Sequence, residues 1–246
     1  MYNPVTEFEL GTLLSKYIET IKKNKFKSLF IYLLFVIYLS LPAFQIPLLE
    51  WQNRRFSSLM EQRAYENYML FYPRQSWVSI DKVNPELMRG IISMEDGNFY
   101  RHHGVDWKEL NASIAVNKRV KRSKRGGSTI TMQLAKNLFF TTNKSVIRKA
   151  KEILITFRIE KEVSKKAILE NYINLIEWGD GIFGIGKASD VFFDKEPDKL
   201  TRVECSKLAA VIPSPLKHPP NENSRYVRRR SSLINNRMNN IQLEEK

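Results

Sequence analysis

Glu95 heads the most chemically suggestive stretch of this chain, Glu95-Asp96-Gly97-Asn98-Phe99-Tyr100-Arg101-His102-His103-Gly104. The residues before it predict a helix. Asn84 suits the cap, Pro85 suits the first helical position, and Leu87, Met88, Ile91 and Ile92 share one apolar face. At about 100° per residue, Glu95 projects near the middle of that face. A carboxylate there meets partial desolvation and the negative end of the helix dipole. Both effects raise its pKa toward the range useful for proton transfer. The same pattern fits a helix-terminal Glu paired with Arg101 or a histidine, because structural ion pairs also perturb carboxylates.

A second constellation is cationic. After Thr141-Thr142-Asn143 the pattern predicts a long helix to about Glu162. Lys144, Arg148 and Glu152 recur every four residues along one edge, opposite an apolar stripe of Val146, Ala150, Ile153, Leu154 and Phe157. Spacing alone fits a solvated face laced with salt bridges. Upstream, Arg125-Gly126-Gly127-Ser128 leads into a helix toward Phe139 that Ser128 can cap, with Lys136 two turns on. Helix N-termini present N–H groups to anions, but no Gly-Lys-Ser/Thr follows the glycines, so this is not a P-loop. His102, His103 and His218 are the only histidines, and no zinc spacing or Ser–His–Asp arrangement emerges. Cys205, the single cysteine, sits in a helical pattern and reads as a small buried hydrophobe.

The elements that must position these groups are mostly helical. Further helices are expected from Asp106 to about Val116, from Ala167 to Leu175 behind a Ser164 cap, and near Thr201–Val211 before Pro213 and Pro215. The glycines at 179, 181, 184 and 186 mark a loop or short hairpin. Short β segments are expected near Trp77–Ile80 and Ile182–Phe183.

A length of 246 residues allows one substantial core. The net charge of +14 points to an anionic partner. Residues 28–50 are almost wholly apolar and uncharged to Leu49, long enough to cross a bilayer. Lys22, Lys23, Lys25 and Lys27 precede them and outweigh Arg54 and Arg55 behind, so the N-terminus is expected in the cytoplasm and the rest outside. The expected organisation is therefore a cytoplasmic tail (1–27), a transmembrane anchor (28–50), a juxtamembrane connector (51–80) and a domain (81–246) ending in a basic tail with Arg225, Arg228, Arg229 and Arg230. An extracytoplasmic domain argues against nucleic acid as the partner.

Taken together, the pieces resemble one family, the peptidoglycan glycosyltransferases of the lysozyme-like class, in their monofunctional biosynthetic branch. The first family motif, Glu-Asp-x-x-Phe-x-x-His-x-Gly, stands here as Glu95, Asp96, Phe99, His102 and Gly104. The second, Gly-Gly-Ser-Thr-Ile-Thr-Gln-Gln-Leu-x-Lys-Asn, is residues 126–137 with Met132 for the first Gln. The third, Arg-Lys-x-x-Glu, is Arg148, Lys149 and Glu152. The fourth resembles Ile168 to Asn174 followed by glycines, and residues 208–215 resemble the closing motif. The departures are Met132, Lys144 where Arg is common, and Lys187-Ala188-Ser189. Met132 removes a substrate hydrogen bond, and Lys144 keeps the charge without the guanidinium fork.

The resemblance implies a mainly α, lysozyme-like domain with a smaller membrane-proximal lobe, preceded by one transmembrane helix in a bacterial cytoplasmic membrane. It implies polymerisation of lipid II, a lipid-linked disaccharide-peptide, onto a growing glycan chain with inversion and release of lipid pyrophosphate. No transpeptidase activity is expected. Cell-wall synthesis or division proteins are the expected protein partners. Glu95 is the implied base and Glu152 a second catalytic carboxylate, orienting the cations or helping to hold a divalent ion such as Mg or Mn on the pyrophosphate. No obligatory cofactor is expected. Lys136, Lys144 and Arg148 stabilise the leaving charge. Ser128, Thr131, Gln133, Asn137, Asp96, Phe99 and His102 complete the implied substrate-binding set. A lysozyme-like glycan-cleaving enzyme and a non-catalytic membrane-anchored scaffold are the competing readings.

Overall fold

The computed structural model describes residues 15, 16, 19, 22–39, 42, 44–54, 56–67, 75–120, 126–143 and 145–244. Lys144, Arg55 and the basic positions Lys121, Arg122, Lys124 and Arg125 fall outside them. Contacts divide the chain into two units, residues 1–43 and 44–246.

The first unit holds helix α1, Lys25–Leu39, of 15 residues. At 1.5 Å per residue it is about 22 Å long, short of the ~30 Å hydrocarbon layer. Among the described residues no helix is long and apolar enough to cross a membrane. The expected span over 28–50 is not one element. Its outer end, Pro47–Glu50, is a single 3-10 turn in the second unit, with Ile46 and Leu49 buried.

The second unit runs α2 (Ser58–Glu66), α3 (Pro85–Glu95), α4 (Trp107–Val120), α5 (Ile130–Phe139), α6 (Val146–Glu162), α7 (Lys165–Leu175), a β1–β2 hairpin (Glu177–Gly179 and Ile182–Phe183), α8 (Ile185–Phe193), α9 (Arg202–Val211) and α10 (Arg225–Arg237). Short polar side chains start most of these helices. Ser57, Asn84, Thr129, Ser145, Ser164, Thr201 and Ser224 each accept a backbone N–H of the first turn. The cap of α5 is thus Thr129, not Ser128.

Two packing centres position the site. Helix α5 buries Ile130, Met132, Leu134, Ala135 and Leu138 and packs against α6, α7 and α2. Helix α3 packs against α9 and α10, and Gly90 permits the approach: an added Cβ would lie 3.2 Å from Ala209 Cβ. Residues 51–80, expected as a connector, instead supply α2 to this unit. Leu59, Met60 and Ala64 are buried, and Arg63 forks onto the buried Glu177 at 2.9–3.1 Å.

Two further expectations change. No strand forms at Trp77–Ile80; Gln75 makes a lone parallel bridge to Phe183, and Ile80–Lys82 is a 3-10 turn. The other change concerns α6. Most of its expected core stripe faces outward, with Val146 87 % exposed and Ala150, Leu154 and Phe157 also exposed, while Ile153 is half-buried. The buried face carries Glu152, Ile155, Thr156 and Ile159. Periodicity identified a common face, but protein covers only part of it. Cys205 is buried as expected, and that burial pushes its thiol up to about 12.

Candidate active site

Glu95 is the last residue of α3. The residue keeps some accessible surface within a dense surround, and desolvation is the largest influence on its carboxyl, lifting its pKa above the ordinary carboxylate value. A hydrogen bond from Gln133 Nε2 at 2.8 Å opposes the rise, as do the charges of Arg230 and Lys136, while Asp96 adds to it. Gln133 is held in this orientation from behind. The fully buried Tyr172 donates its hydroxyl to Gln133 Oε1 at 3.0 Å. Burial raises the Tyr172 phenol well above its usual value, so it stays protonated.

The segment after Glu95 is a scaffold. Asp96, buried, accepts the Ile130 N–H at 3.0 Å and so ties the end of α3 to the first turn of α5. It also accepts from His102 Nε2 at 2.8 Å. Because Gly104 N–H donates to His102 Nδ1 at 3.2 Å, the proton on this ring belongs to Nε2. Gly104 adopts φ +97°, and a Cβ there would meet Thr156 Cγ2 at 2.9 Å, so glycine is required. Phe99 is fully buried, with the Lys165 ammonium 4.4 Å from its ring centroid.

Phe99 and Thr131, expected in the substrate-binding set, lie in the core. Neither has accessible surface, and Thr131 Oγ1 is hydrogen-bonded to Glu160. Asp96 and His102, also expected in that set, hydrogen-bond to each other and Asp96 to the start of α5. Met132 is also fully buried, so its side chain packs in the core where a substrate-facing Gln was expected.

The second half of the site lies on α6. Glu152 is 2 % exposed, and its two oxygens face Arg148 Nη1 at 2.8 Å and Lys149 Nζ. Lys149 also donates to Ser128 Oγ at 3.1 Å, tying α6 to the approach of α5. The Arg148 Nε–H is buried, and no described group accepts from it. Since both Glu152 oxygens are engaged by cations, the carboxylate does not fit the expected role of holding a divalent ion. Among the described residues no group of three or more His, Cys, Asp or Glu is placed to do so.

Helix α5 joins the halves. Gln133 lies three residues before Lys136 on the same face, and both line a cleft of about 310 Å³ with Asn137, Arg63, Glu177 and residues 212–217. Burial lowers the Lys136 ammonium; Glu152 opposes this, Arg148 and Lys149 reinforce it, and Glu95 opposes it. Lys136 thus feels the Glu95 carboxylate and the Arg148–Glu152–Lys149 cluster at once.

Sequence reasoning brought Glu95, Gln133, Lys136, Arg148, Glu152 and Ser128 to one region. It gave no role to Lys149, Tyr172 or Arg230. The i, i+3 step from Lys149 to Glu152 was a readable signal, and so was the place of Arg230 between Val227 and Ile234. Tyr172 gave none, since a tyrosine in an apolar helical pattern reads as core.

A family model described as Transglycosylase matches residues 62–239. The chain is 36% identical over 193 residues to a biosynthetic peptidoglycan transglycosylase of Laribacter hongkongensis, covering 77% of this chain and 85% of that protein. A protein of the same description from Chromobacterium violaceum is 39% identical over 170 residues, covering 69% and 75%. One from Shigella boydii is 39% identical over 183 residues, covering 73% and 76%. With the family model spanning most of its length and relatives matched over three quarters of theirs, this chain belongs to the transglycosylase family.

Proposed function

We propose that the chain is a peptidoglycan glycosyltransferase that polymerises lipid II into glycan strands at the outer face of a bacterial cytoplasmic membrane. The observation that carries this reading is Lys136. One cation on α5 lies in the fields of both a desolvated carboxylate and a cluster of further cations. Cleavage of a neutral glycosidic bond has no use for such a cluster. Departure of a pyrophosphate does.

In this mechanism Glu95 accepts the proton from the acceptor sugar 4-hydroxyl. The oxygen attacks the anomeric carbon of the growing chain with inversion, and the bond to the lipid pyrophosphate breaks. The raised affinity of Glu95 for a proton strengthens it as a base, while Gln133 aims it. Lys136, Arg148 and Lys149 receive the developing negative charge, with the buried Arg148 Nε–H as one donor for it. Glu152 keeps the cations together until the substrate arrives. Lys144, expected with Arg148 and Glu152 from its spacing in sequence, lies outside the described residues.

The apolar run that begins at Ser28 anchors the chain in the membrane, oriented by Lys22, Lys23, Lys25 and Lys27 before it. Leu29, Phe30, Ile31 and Tyr32 on consecutive faces of α1 are exposed, as suits a helix solvated by lipid. The exposed apolar face of α6 suits a substrate that keeps its tail in the bilayer. The full chain in lipid vesicles should convert the lipid-linked disaccharide precursor to a polymer that muramidase digests. Precursor left intact, or preformed glycan cleaved in its place, would overturn the assignment.

A further inference from the structure

The Gln133 amide is hydrogen-bonded at both ends. Its Nε2 donates to Glu95 Oε2 at 2.8 Å, and its Oε1 accepts from the Tyr172 hydroxyl at 3.0 Å. One side chain of α5 thereby joins the end of α3 to α7. The tyrosine end decides which way the amide lies. Tyr172 is fully buried, and among the described groups its hydroxyl meets only Gln133. A buried phenol has one proton to donate, and a carbonyl oxygen only accepts. The amide oxygen is therefore required at the tyrosine and the NH2 at the carboxylate. Turned over, the amide would set its oxygen against Glu95 and leave the phenol proton without an acceptor. That arrangement suits a protonated Glu95, which has an O–H to donate, and disfavours an ionised one.

Resting on the glycosyltransferase reading, we propose that Tyr172 is a positioning residue whose phenol proton sets the Gln133 amide, so that Glu95 waits as an ionised base with Oε1 as its proton-accepting atom. The Gln133 donor engages Oε2, and a carboxylate oxygen that already accepts a hydrogen bond is the less basic of the two. The acceptor 4-hydroxyl accordingly gives its proton to Oε1 as its oxygen bonds to the anomeric carbon. The pyrophosphate leaves with the electron pair of the broken bond. Tyr172 has no accessible surface, so it reaches the reaction only through the amide. The other ionisable groups acting on Glu95 are Arg230, Asp96 and Lys136, and Glu95 and Asp96 act in turn on the phenol. Loss of the hydroxyl leaves all of those charges in place.

The test is a double-mutant cycle on the full chain with Tyr172→Phe, Gln133→Met and the pair, measuring kcat/KM for polymerisation against pH. Tyr172→Phe frees the amide to turn, so the acidic limb should move upward by about half a unit to one unit. Below the limb that is a loss of about threefold to tenfold. In the Gln133→Met background the same change should cost less than about twofold, because the amide it acts through is gone. An unmoved limb in Tyr172→Phe, or losses that simply multiply in the pair, overturns the proposal, even if the variant melts lower. If Tyr172→Phe does not fold by circular dichroism, a neutron structure of the deuterium-exchanged wild type decides. Deuterium on the Tyr172 hydroxyl aimed at Gln133 Oε1 supports the assignment, and deuterium aimed elsewhere overturns it. If the wild type makes no polymer, the functional reading falls. The Glu95 carboxyl, titrated by ¹³C NMR in wild type and Tyr172→Phe, then still judges the relay: an upward shift supports it and an unmoved midpoint overturns it.

Discussion

Glu152→Gln separates two roles for a buried carboxylate, proton carrier and counter-anion. The glutamine keeps the shape and one acceptor oxygen but removes the negative charge that Arg148, Lys149 and Lys136 surround. Breaking a fully buried pair costs about 3–5 kcal/mol. Here the Arg148 and Lys149 side chains are 18% and 36% exposed, so water screens part of the loss. A cost of about 2–3 kcal/mol is therefore expected. A unit of this size loses about 2–4 °C of melting temperature per kcal/mol, giving a fall of about 4–12 °C.

The counter-anion role makes a second demand. Inorganic pyrophosphate should restore the missing charge, and a ligand that binds the folded state stabilises it by RT ln(1 + [L]/Kd). Pyrophosphate should therefore raise the melting temperature of the variant more than that of the wild type, and less so in high salt. Thermal melts of both proteins across a pyrophosphate series measure this directly. A variant that melts within about 1 °C of wild type, or responds equally to pyrophosphate, would refute the counter-anion reasoning.

Glu95→Gln should lower turnover by about 10²–10⁴, measured with the lipid-linked precursor, because the amide cannot accept a proton. The raised carboxyl also fixes a sign: its contribution to stability is full below the ordinary carboxylate range and is lost as pH rises through the raised value. At neutral pH the variant should accordingly melt at or above the wild type, and a lower melt would contradict desolvation of Glu95. Asp96→Asn replaces a carboxylate that receives N–H groups from both Ile130 and His102, and should cost about 1.5–3 kcal/mol together with much of kcat. A near-native melt with near-native kcat would remove Asp96 as the tie between α3 and α5.

Much of this site was legible because the chain states it locally. Asn84 and Pro85 start α3, four apolar residues define its buried face, and Glu95 lies at its end, so a desolvated carboxylate could be inferred with no tertiary information. The roles of Asp96 and His102 were not legible. They depend on which backbone N–H groups come to meet them, and Ile130 comes from 34 positions away. The same limit moved the cap of α5 by one residue. Ser128 and Thr129 are both cap formers by type; the Thr129 hydroxyl takes the Met132 N–H, while the Ser128 hydroxyl accepts from Lys149 of another helix.

Helix α6 shows a different limit. Apolar periodicity tells which side chains share a face, and the inference that this face is inside assumes that water is the only alternative to protein. On α6 the face carrying Glu152, Ile155, Thr156 and Ile159 is buried, and of the apolar stripe Val146, Ala150, Leu154 and Phe157 are exposed while Ile153 is half-buried. Burying Glu152 is tolerable because two partly exposed cations accompany it. An enzyme that must draw a pyrophosphate from a lipid layer into a cationic pocket has a physical reason for that inversion. The pocket has to be desolvated for its charges to act strongly, and the surface beside it has to accept hydrocarbon. The residue pattern that misleads a soluble-protein reading of α6 is the one that a lipid-linked substrate would require.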